Sequence, residues 1–140
     1  DFWKHDVEDN AYALLKTGEG VVAMLHSSAT QWRHMFSLEV ALEGGAVNLS
    51  GFLSGSRSYG TETLTVLRAA ADERGDPQEK IKRYEHDYSW EREINEFVDV
   101  ILSGRTIVNG SSDDAYKTME LVTKIYLADN EWRTKWYPKS

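Results

Sequence analysis

The amino-acid sequence predicts an α+β domain: a largely antiparallel, open-faced sheet of about six strands, with two C-terminal helices packed on one face. Two observations predict it. Before Ser89 the apolar residues alternate or form short β-branched runs between glycine turns, and after it they recur at helical spacing. Strands grouped first and helices last favour an antiparallel sheet, because a parallel one needs the two interleaved.

The first strand is Asn10 to Lys16, with Tyr12, Leu14 and Leu15, and Gly18-Glu19-Gly20 turns it into a second, Val21 to Ser28. Phe36 to Glu43 alternates, placing Phe36, Leu38, Val40 and Leu42 on one side and Ser37, Glu39 and Glu43 on the other. Gly44-Gly45 is a turn, after which Val47, Leu49 and Leu53 resume the apolar face. Thr61 to Arg68, rich in Thr, Leu and Val, follows the polar loop Ser54 to Gly60. Lys80 to His86 is the last strand, after the connection Asp72–Gln78.

The period then changes. From Trp90 the residues Ile94, Phe97, Val98 and Ile101 lie on one helical face, with Ser89 as N-cap and Gly104 as the closing glycine. A second helix starts at Ser111 or Ser112, has Asp113 and Asp114 in its first turn, and carries the stripe Ala115, Met119, Val122, Ile125 and Tyr126. The aromatic, basic tail Trp132 to Tyr137 is expected to dock the chain end onto the core.

With 140 residues, 41% hydrophobic and 28% charged, the chain fits one globular domain spanning positions 1–140. A net charge of −7 argues against a nucleic-acid partner, which needs concentrated Lys and Arg. The densest basic stretch, Lys80 to Arg83, is bracketed by Glu79 and Glu85 and reads as a solvated strand face. No apolar run is long enough to span a membrane, and no signal-peptide pattern opens the sequence. The absence of cysteine excludes disulfides and thiolate chemistry, and the expected location is cytoplasmic.

Most candidate motifs give way to plainer readings. Gly18-Glu19-Gly20-Val21-Val22-Ala23 has the form of a dinucleotide-binding turn, but a β-branched run follows where a helix must start, so no cofactor is expected on this chain. His5, Asp6, Glu8 and Asp9 lack any fixed metal-ligand spacing. Ser28 shares a strand side with His26, yet no orienting acid is evident. The sequons at Asn48 and Asn109 carry no meaning without secretion.

Two features point further. Thr30-Gln31-Trp32-Arg33-His34 joins an indole, a guanidinium and an amide, groups that stack on sugar rings and hydrogen-bond hydroxyls or anions. Ser56-Arg57-Ser58-Tyr59-Gly60 is a similar loop. Trp32, Arg33 and Tyr59 are the candidate substrate-binding residues, the plainer alternative being that Trp32 caps a sheet edge. On the second strand Val22, Met24, His26 and Ser28 share one side, and its opposite side is also mostly apolar. Two accounts fit equally: a dimer or domain interface, or a centrally placed strand covered by the chain's own loops.

Val7-Glu8-Asp9-Asn10-Ala11-Tyr12-Ala13-Leu14-Leu15, Leu25-His26-Ser27-Ser28-Ala29-Thr30-Gln31-Trp32, Tyr59-Gly60-Thr61-Glu62-Thr63-Leu64 and Trp90 to Phe97 occur in that order, with Gly110 to Ala115 before the last predicted helix. Together they resemble the C-terminal domain of the Gfo/Idh/MocA oxidoreductases. The resemblance implies a longer parent whose Rossmann domain binds NAD or NADP, acting on a sugar, sugar-nucleotide or polyol. This domain would supply part of the substrate pocket and a sheet for homo-oligomerisation. The family's Glu-Lys-Pro motif and its glycine-rich signature with Asp and His are absent here, so no catalytic residue carries over and the chain alone is expected to be inactive. The position of Asp1 fits a chain that starts just after that signature.

Overall fold

In the computed structural model, which describes residues 2–54, 56, 58–70 and 76–136, period-two segments and glycine turns give six strands, and the 3.6-period segments give helices. The strands are β1 (Asn10–Lys16), β2 (Val22–Ser28), β3 (Ser37–Leu42), β4 (Gly45–Ser50), β5 (Glu62–Arg68) and β6 (Gln78–Tyr84); the helices are α1 (Ser89–Ser103), α2 (Ser112–Ala128) and α3 (Asn130–Trp136). The class is α+β, with antiparallel, open sheets. Arg57, Tyr137 and most of the connection expected at Asp72–Gln78 lie outside the described residues.

The strands form two sheets instead of one, β1-β2 and β3-β4-β5-β6. Tight glycine turns fold β2 onto β1 and β4 onto β3, whereas residues 29–36 hold no such turn and β3 does not return along β2. The chain divides into two compact units: Asp1–Ser28 with Glu93–Ser140, and Ala29–Arg92.

In the first unit β1 and β2 pair from Asn10↔Ser28 to Lys16↔Val22. The turn closes through the Gly20 amide, which donates to the Thr17 carbonyl at 3.1 Å, and the Thr17 amide, which donates to Val21 at 2.9 Å. Glu19 accepts from its own backbone amide and from the Thr17 hydroxyl, which hold its carboxyl below the usual range. Ser111 caps α2 in a reciprocal box: its hydroxyl accepts the Asp114 amide at 3.2 Å, and the Asp114 carboxylate accepts the Ser111 amide at 3.1 Å. The Asp129 carboxylate then accepts the Glu131 and Trp132 amides, starting α3, so the predicted tail is a third helix. The Tyr126 ring lies 5.2 Å from that of Trp132, and its hydroxyl donates to Glu8, fastening the N-terminal segment to α2.

The second unit is a four-stranded antiparallel meander. Its register aligns Leu38, Leu49 and Leu64 in one cross-strand row and Val40, Val47 and Val66 in the next, ending on Lys82 and Lys80 of β6. Lysines on that edge discourage further strand addition, and the Lys82 ammonium sits 4.7 Å from the Tyr84 ring. β6 runs two residues earlier than the sequence suggests, because β5 offers partners only from Glu62 to Arg68 and Tyr84 already pairs with Glu62. The α1 start also differs: the Asp87 carboxylate accepts the Ser89 amide at 2.8 Å, so the capping acceptor is Asp87 and not Ser89. Ser89 correspondingly holds the Asp87 carboxyl below its usual range. Gly104, at φ +65, closes α1 as expected.

Candidate functional site

Antiparallel register brings the two loops singled out by sequence to the same end of one sheet. Ser37 pairs with Ser50, and Ser50 with Thr63, so the chain entering β3, the chain leaving β4 and the chain entering β5 meet there. Residues 29–36 therefore share a corner of the second unit with residues 51–54, 56 and 58–61.

Their side chains interlock. His34 Nδ1 lies 2.7 Å from Ser58 Oγ, and Ser58 Oγ lies 2.8 Å from Ser56 Oγ, which is 3.3 Å from Ser54 Oγ. The His34 ring is tilted against Tyr59 at 5.0 Å, Tyr59 stacks on Phe52 at 4.1 Å, and Phe52 meets Phe36 edge-on at 5.8 Å. An imidazole and a row of hydroxyls thus border an aromatic ladder.

Of the residues chosen from sequence, Tyr59 stands inside this ladder and Arg33 beside it. Arg33 Nη2 lies 3.8 Å from where a Cβ on Gly60 would sit, and Gly60 adopts φ +83. Trp32 is 100% exposed and makes no ring contact with a described residue. The sequence marks none of His34, Ser58, Phe52 and Phe36 as a site residue: His34 and Ser58 fall within the two loop stretches, His34 has no metal-ligand spacing to His26, and Phe36 belongs to an alternating strand face. The pairing of Ser37, Ser50 and Thr63 is the signal that links them, and it exists only once three strands are in register.

The residues named as an interface lie on β2 in the first unit. Val22, Met24, His26 and Ser28 stand opposite Lys16, Leu14, Tyr12 and Asn10. Tyr12 and His26 stack with ring centres 4.5 Å apart and planes 14° apart. Met24 is 85% exposed and Leu14 78%, so this face presents apolar side chains to solvent. Tyr12 and Leu14 extend the surface beyond the four residues named from sequence.

Two further features bear on ligands. Gly18 to Gly20 is a hairpin turn leading into a strand, so it offers no helix N-terminus to a pyrophosphate, and these residues do not fit a dinucleotide. A cavity of about 440 Å³ in the first unit is bordered by Asp6, Glu8, Glu131, Trp132 and Lys135. Among the described residues no group of His, Asp and Glu is arranged to hold a metal, and no helix is long and apolar enough to cross a membrane. Searches among known proteins matched this chain to no family model, no curated protein and no solved structure.

Proposed function

We propose that this chain is the C-terminal domain of an NAD(P)-dependent oxidoreductase of the Gfo/Idh/MocA type, acting on a sugar, sugar-nucleotide or polyol. It supplies a wall of the substrate pocket and a surface for homo-oligomerisation, while the cofactor is held elsewhere in the parent. The family assignment is supported by the ordered resemblance in sequence. The substrate role is supported by one observation above the others: the corner where His34, Ser58 and Tyr59 meet beside Arg33. Aromatic faces stack on the C–H face of a sugar, and hydroxyl, imidazole and guanidinium groups match its polar rim. Hydride transfer itself belongs to the cofactor, and the protein's part is to bind and orient.

The deciding experiment reads the coding sequence upstream of Asp1. A G-x-G-x-x-G Rossmann segment followed by Glu-Lys-Pro supports the proposal, and a start codon there overturns it. A stand-alone ligand-binding or assembly module is the rival reading. It draws on the fact that the aromatic corner and the exposed hairpin are each complete within this chain. Such a start codon would favour that rival.

A further inference from the structure

Arg33 lies beside this corner without an ion-pair partner among the described residues, although the chain carries a net charge of −7. Solvated arginines in acidic chains are ordinary, but this one reaches Gly60, at the end of the loop whose Ser54, Ser56 and Ser58 hydroxyls line up toward the His34 imidazole. A neutral sugar could use the hydroxyls and the ring faces and would leave the guanidinium with water alone. A planar fork of donors matches the two oxygens of a carboxylate or phosphate.

The Ser58–His34 hydrogen bond adds a second donor. When the Ser58 hydroxyl donates to Nδ1, the neutral imidazole carries its proton on Nε2, where it is a donor. Arg33 Nη2 lies 3.8 Å from where a Cβ on Gly60 would sit, which places the guanidinium against the loop that carries Ser58 and Tyr59.

We propose that the corner built from Arg33, His34, Ser58 and Tyr59 selects saccharides bearing an anionic group, a phosphate or a carboxylate. The inference rests on the saccharide reading above and narrows it. The guanidinium takes the anion, His34 and Ser58 take ring hydroxyls, and Tyr59 with Phe52 forms the platform.

The test titrates this chain with a hexose phosphate, glucuronate, glucose and inorganic phosphate, by calorimetry and by amide chemical shifts. The anionic sugars should bind at least about tenfold more tightly than glucose, with shifts at residues 33, 34 and 58–60. Binding by one of the two anionic sugars alone supports the inference and identifies the source of the anion. Arg33→Gln should reduce the anionic sugars to the affinity of glucose. Should that variant unfold, the wild-type chain still decides: added salt should weaken the anionic sugars and leave glucose unchanged. Glucose binding as tightly as its anionic relatives overturns the inference and leaves the saccharide platform standing. Inorganic phosphate binding as tightly as the hexose phosphate overturns it too. If no saccharide binds, the platform falls with it.

Discussion

Gly45 has φ +154, and a Cβ placed there would lie 2.0 Å from the Leu67 carbonyl oxygen. Gly45→Ala must therefore push β5 from β4 or reopen the β3–β4 turn. A loss of about 1–3 kcal/mol is expected from the urea midpoint, and an unchanged midpoint would show that the strand gives way freely. The turn was legible in Gly44-Gly45, but the clash was not, because Leu67 belongs to another strand. Asp87 shows a different limit. Its carboxyl sits below the usual range through the Ser89 side chain and amide, so its contribution is present above the unfolded pKa and fades as pH falls through the lowered folded value. Acidification should thus fray the start of α1, and Asp87→Asn should flatten that pH dependence in the far-UV helix signal. The group is fully exposed, so the effect is small. Ser89 and Asp87 are both good cap residues by type, and the choice between them rests on backbone geometry.

For the elements, local chemistry was the reliable guide. Ser111 before two aspartates predicted the start of α2, and the reciprocal bonds with Asp114 account for it. Ser111→Ala should cost about 1 kcal/mol in thermal or urea unfolding. An equal loss in Asp114→Ala, with no further loss in the double variant, would identify the box as one unit. β6 was displaced in the sequence reading because its own residues, Gln78 to Tyr84, carry little alternation; its limits are imposed by β5. The aromatic and basic character of the tail is plain in its residues, but its helix depends on Asp129, an acceptor three residues before Trp132.

Across the whole molecule, the exposed hairpin face is the feature with the plainest consequence. Tyr12, Leu14, Val22 and Met24 all stand in solvent on one side of β1 and β2. Under the proposed role, sedimentation should give a dimer or larger species, and Met24→Lys or His26→Asp should shift it toward monomer while leaving the circular dichroism spectrum unchanged. A wild-type monomer at high concentration would overturn the interface. Titration with NAD or NADP should give no heat, since the glycine turn opens a strand; micromolar binding would contradict that.

The sequence by itself determined the α+β class, the hairpin at Gly18 to Gly20, the Gly104 helix end and the start of α2. Each is encoded within a few residues, by side-chain period, backbone freedom or a capping oxygen. The tertiary structure decided that the strands divide into two sheets, that β6 starts at Gln78, and that His34 meets Ser58 and Tyr59 while Arg33 reaches Gly60. Those outcomes depend on register between strands remote in sequence, where hydrogen bonds between backbones align the chain and no single segment carries the information.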